Sequence, residues 1–166
     1  MMRLSDLVAD RSGSAAVEMA LCLPILLVLA FGSLEVGNYF LSEHVVDKAV
    51  RDASRYAARL ALTNYPSCTS VDATAAQKIR NVARTGDPAG TNPRLWGWAD
   101  GNTTVSVACD NVSSYGTGGI YTEFPNGAPV VTVTATVPYT TFFGSMGMGA
   151  PTFNLYAQSQ AAVIGA

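Results

Sequence analysis

The chain has 166 residues, of which 49% are hydrophobic and only 13% charged, about half the usual charged share. That balance excludes a disordered, solvating tail. A net charge of −2 leaves no strongly basic surface for a nucleic-acid binder. Three cysteines and one histidine are too few for a Cys/His zinc framework, so no metal and no cofactor is expected. Lys and Arg both stop at Arg94, and beyond it only Asp100, Asp110 and Glu123 are charged. Two differently built regions therefore share the chain.

The first element is the apolar stretch Ala15–Leu34, in which Glu18 is the only charge. As a helix it would span about 30 Å, the thickness of a bilayer's hydrocarbon core. A carboxylate there is expensive and calls for a partner, or for a place at the headgroup boundary. Its spacing from Gly13 offers a partner. Cleavage after Gly13 would make Ser14 the amino terminus, with Glu18 one helical turn from the new α-ammonium. That amine, or one on a neighbouring subunit, could neutralise it. Pro24 removes one backbone donor, so a kink is expected there. Cys22 reads as a small apolar residue.

The run Gly13-Ser14-Ala15-Ala16-Val17-Glu18 before an apolar helix resembles the processing site of type IV pilins and pseudopilins. The fuller stretch from Arg11 to Leu27, with Phe31-Gly32-Ser33-Leu34-Glu35-Val36-Gly37 after it, is similar to the TadE-like proteins of the tight-adherence (Tad/Flp) pilus system. The tail Gln158–Gly165 looks similar too. Met19 stands where an aromatic residue often follows the glutamate in that family. The resemblance implies a pseudopilin or minor pilin, cut by a prepilin peptidase after Gly13, with Glu18 aiding subunit assembly. It also implies partners among other pilins and the assembly machinery, at an inner membrane, with the amino terminus cytoplasmic. Arg3 and Arg11 ahead of the span, with Glu35 and Glu43 close behind it, lean weakly the same way. A rival cut after Ala30-Phe31-Gly32, releasing Ser33, fits a signal peptidase but lacks a positive leading segment.

Beyond the span, Leu41, Val45, Ala49, Ala53, Tyr56 and Leu60 recur at three- and four-residue steps and predict an amphipathic continuation. One long helix over residues 15–62 follows, half in lipid and half buried against a head, and ended by Asn64-Tyr65-Pro66. Arg51, Arg55 and Arg59 form a basic stripe that reads as a solvated face, with a binding patch as the alternative, and Asp47 and Arg51 form an i,i+4 pair. Ser70 is the expected N-cap of a second helix whose apolar face is Val71, Ala75, Ile79 and Val82, closed by Gly86 and Pro88. Residues 86–102 read as a loop, from which Trp96 and Trp98 cap the core or else make a subunit contact.

Strands are predicted at Thr103–Cys109, Val130–Val137 and Phe153–Ile164, each alternating apolar and polar residues. Together they suit an antiparallel sheet packed on the long helix. Gly116–Gly119 reads as a turn. Phe142–Pro151 reads as an apolar, glycine-rich loop folded on the core, or else as an exposed tip. Cys68 and Cys109 lie in what would be an oxidising compartment and are expected to form a disulfide. The expected fold class is α+β: residues 1–13 a leader, 14–34 a transmembrane half-helix, 35–65 its continuation and 66–166 a periplasmic head. His44 is the only histidine and no motif joins the remaining carboxylates, so no enzyme is expected. The rival function is a single-pass anchored or secreted extracytoplasmic binding module that does not polymerise.

Overall fold

In a computed structural model the described residues are 13–110, 117–122, 124, 126–145 and 153–165. The protein is α+β, and the chain divides into two compact units, Met1–Asn38 and Tyr39–Ala166. Helix α1 runs Ser14–Ala58 and passes from the first unit into the second. The leader before Gly13 lies outside the described residues, as do Glu123 and the loop from Met146 to Thr152.

In the first unit α1 is apolar on every side. Its side chains from Ala15 to Phe31 are exposed, Leu21 at 69% and Val28 at 73%. A helix that is hydrophobic all round is stable only where something apolar surrounds it. It is the one described helix long and apolar enough to cross a membrane, with a mean hydropathy of 2.3. The helical assignment continues through Pro24, which membrane helices tolerate better than soluble ones.

In the second unit α1 becomes amphipathic. Val46, Ala49, Val50, Ala53 and Ala57 are fully buried, on a single stripe at three- and four-residue steps. Alanine at three of these positions lets the backbone approach its neighbours closely. The helix stops at Ala58, short of the residue 62 expected from sequence. Its last carbonyls are taken by distant groups: Tyr65 Oη donates to the Ala57 carbonyl (2.7 Å), and the Ile164 amide donates to that of Ala58 (2.9 Å). Arg59 and Leu60 form tighter three-residue bonds, followed by a separate 3-10 turn, Leu62–Asn64.

Helix α2 spans Ala73–Thr85 and buries Ala75, Ile79, Val82 and Ala83. Its cap is Asp72, not Ser70: the carboxylate accepts from the amides of Thr74 and Ala75, both at 3.0 Å. Ser70 is instead held one turn earlier by the Ser67 hydroxyl (2.6 Å) and a backbone bridge to Ser67. An ionised oxygen satisfying two orphan amides at a helix start is the stronger cap. Gly86 ends α2 with φ +88°, in the left-handed region that favours glycine.

Three strands, β1 (Thr103–Asp110), β2 (Ala128–Tyr139) and β3 (Phe153–Ala162), form an antiparallel sheet in the order β1-β2-β3. Register places Val107 opposite Val131 and Ala135 opposite Ala157. The inward face, Val131, Val133, Ala135 and Val137 with Leu155 and Ala157, meets the buried stripe of α1 in one core. The other face carries threonine, serine and glutamine. A four-residue turn of helix, α3 (Phe142–Ser145), follows β2. Only the start of the expected glycine-rich loop is thus described; Phe142 there is exposed. Thr117 and Gly118 lie in bends, in line with the expected turn.

Candidate functional site

Gly13 and Ser14 stand at the start of α1. The Gly13 carbonyl accepts the first helical hydrogen bond, from the Val17 amide at 3.1 Å. The Gly13–Ser14 peptide therefore lies where the helix begins, and α1 has no acid in its first turn. Glu18 is the first charged residue along the helix. Two features show what this end can do chemically. Gly13 is not in the left-handed region, and a Cβ built on it would meet nothing within 4 Å. Among the described residues nothing requires glycine there. Second, an α-ammonium on Ser14 would sit at the positive end of the helix dipole, where a cation is disfavoured. A carboxylate four residues along lies about 5–6 Å away between Cβ atoms and offsets that cost.

Residues 13–55 match the family of TadE-like proteins. This segment resembles that family. The match covers about a quarter of the chain, begins at Gly13 and ends four residues before Arg59. Searches of curated proteins and of solved structures found no match to the chain. The TadE-like segment includes the whole apolar span, Glu18 and the buried stripe of α1 up to Ala53. The sheet and α2 lie outside it.

Cys68 and Cys109 are joined in a disulfide that ties the segment before α2 to the end of β1, across a sequence separation of 41 residues. Cys22 is unpaired and exposed on the apolar part of α1. Trp98 is 2% exposed and its Nε1 donates to the buried Thr103 hydroxyl (3.0 Å). Trp96, expected to cap the core with it, is 84% exposed. Trp98 lies one residue past Gly97, whose φ of +80° turns the chain so that only one of the two indoles faces inward.

Sequence reasoning missed two groups. Tyr65 is buried beneath the end of α1. Burial, reinforced by nearby Tyr56, pushes its phenol up to about 12. Its place just before Pro66 marked only a helix end. The second is Ser54, which donates to the Arg51 carbonyl (2.9 Å) and shares a 2.9 Å hydrogen bond with Ser159 of β3. This polar pair lies inside an otherwise apolar interface, and the alternation of β3 marked Ser159 as inward-facing.

The basic stripe is solvent-facing: Arg51, Arg55 and Arg59 are exposed, with Asp47 and Arg51 paired at 2.6 Å. His44 is exposed as well. It lines an open groove with Glu43 and Asp47 in which no serine or cysteine takes part. Among the described residues no group of three or more His, Cys, Asp or Glu is arranged to hold a metal.

Proposed function

We propose that the protein is a TadE-like pseudopilin or minor pilin of a tight-adherence pilus, anchored by one pass through the inner membrane. Its head, residues 66–166, lies on the periplasmic side and its amino terminus in the cytoplasm. A prepilin peptidase cuts after Gly13 and removes residues 1–13. Residues 14–34 then form the lipid-embedded half of the helix, and 35–65 its continuation into the head. The freed Ser14 amine is neutralised by Glu18, of its own helix or of a neighbouring subunit, as the protein joins other pilins and the pilus machinery.

The observation that carries this reading is the TadE-like match starting at Gly13, directly ahead of an apolar stretch, Ala15–Leu34, whose only charge is Glu18. The open space around Gly13 is compatible with a protease reaching that peptide. The Cys68–Cys109 bridge suits an oxidising compartment for the head. Two variants expressed in a host with the peptidase test the proposal. Gly13→Phe should accumulate as the uncut form, while Glu18→Ala should be cut normally and fail to enter the assembly. Normal cutting of Gly13→Phe would refute it.

A further inference from the structure

The second unit carries two complementary surfaces on one helix. The groove beside His44 is lined from α1 by Phe40, Glu43 and Asp47, and from β3 by Tyr156 and Gln158. Phe40 is 53% exposed and Tyr156 60%. Tyr156 Oη donates to Gln158 Oε1 (3.1 Å), which fixes the ring at the rim. Carboxylates flanked by exposed aromatic faces are a good setting for a guanidinium, which pairs with the first and stacks on the second.

The cationic surface lies further along the same helix. Lys48, Arg51, Arg55 and Arg59 are all exposed at three- and four-residue steps. Like charges at these spacings repel. The acids that flank them are already engaged, Asp47 with Arg51 at 2.6 Å and Asp52 with Arg94 at 3.6 Å. Among the described residues the side chains of Arg55 and Arg59 have no hydrogen-bond or ion-pair partner. Their four-residue spacing equals that of Glu43 and Asp47 in the groove. Within one chain the two pairs cannot meet, since twelve residues of helix separate them by about 18 Å.

We propose that the groove receives Arg55 and Arg59 of a second copy of this chain, with the two helices parallel and displaced by twelve residues. Arg55 then faces Glu43, and Arg59, in the turn that ends α1, joins Arg51 at Asp47, whose second carboxylate oxygen can accept it. The two surfaces lie on different sides of the helix, so each copy keeps one free surface of each kind. An interface of this heterologous type builds an open row rather than closing into a dimer. In-register packing has no such match, because it sets arginine against arginine. The proposal rests on the pilin reading for its setting: two copies seated at equal depth in one bilayer are not displaced by 18 Å, so the contact forms as a subunit moves out along the fibre axis.

Cysteine cross-linking of the full chain in cells tests this, in a Cys22→Ala background. A copy with Glu43→Cys and a copy with Arg55→Cys are expressed together and oxidised. A Glu43→Cys/Arg55→Cys adduct is expected, in at least tenfold excess over Arg55→Cys paired with itself. In otherwise unaltered chains, Arg55→Glu should lower fibre incorporation at least tenfold, and adding Glu43→Arg to the same chain should restore it. Equal or dominant Arg55→Cys self-adducts, adducts only with another protein, or no rescue by the charge swap would each overturn the proposal. The mature N-terminus is read from the same samples: Ser14 without the adduct sinks this inference alone, whereas residues 1–13 still in place sink the pilin reading.

Discussion

Breaking the Cys68–Cys109 bridge is a quantitative test of how the head is held together. In the chain-entropy picture a cross-link over 41 residues removes about 13 cal/mol/K from the unfolded ensemble, or about 4 kcal/mol at 25 °C. The second unit, Tyr39–Ala166, should unfold with roughly 2.1 cal/mol/K per residue, about 270 cal/mol/K in all. The ratio puts the loss near 15 °C in melting temperature. What remains around Cys68 is modest: the Ser67–Ser70 hydroxyl contact and the Asp72 amide on the Asn64 carbonyl at 2.8 Å. The assay is a near-ultraviolet dichroism melt of the full chain in nanodiscs, comparing oxidised protein with the Cys68→Ser/Cys109→Ser variant. Alkylation before and after reduction should count one thiol and then three. A melt within about 3 °C of the oxidised protein, or three thiols before reduction, would refute the reasoning.

Other expectations concern the core. Both states keep Tyr65 protonated below pH 10, so its contribution to stability is complete there. Between pH 10 and about 12 the unfolded chain ionises first, and stability falls by about 1.4 kcal/mol per pH unit, roughly 2.7 kcal/mol in total. Alkaline melts of Tyr65→Phe should lack that component, and an unchanged slope would show the phenol to be solvated. Trp98→Ala should cost about 3–5 kcal/mol in urea unfolding, whereas Trp96→Ala should stay within about 0.5 kcal/mol. Equal losses at both positions would contradict the division between buried and exposed indole.

The α+β class and all three strands were legible because strand alternation and helical periodicity are direct records of which side meets the core. The inward valines of β2 lie where the period put them, but on α1 only Ala49 and Ala53 of the expected stripe are fully buried: the face that meets the sheet is turned to Val46, Val50 and Ala57, which leaves Leu41 68% exposed and Val45, Tyr56 and Leu60 half-buried. Ends were less legible. Residues beyond Ala58 are good helix formers, and what stops the helix is Tyr65 and Ile164, which arrive from elsewhere in the chain. The cap of α2 turned on a choice between two residues two positions apart, Ser70 and Asp72, which the turn at Ser67 decides. Trp96 and Trp98 are equivalent in composition, and only the backbone turn at Gly97 separates them.

The most direct measurement is the amino-terminal residue of protein taken from native membranes, read by intact mass and terminal sequencing. The account predicts Ser14. A chain that begins at Met1, or at Ser33, would contradict it.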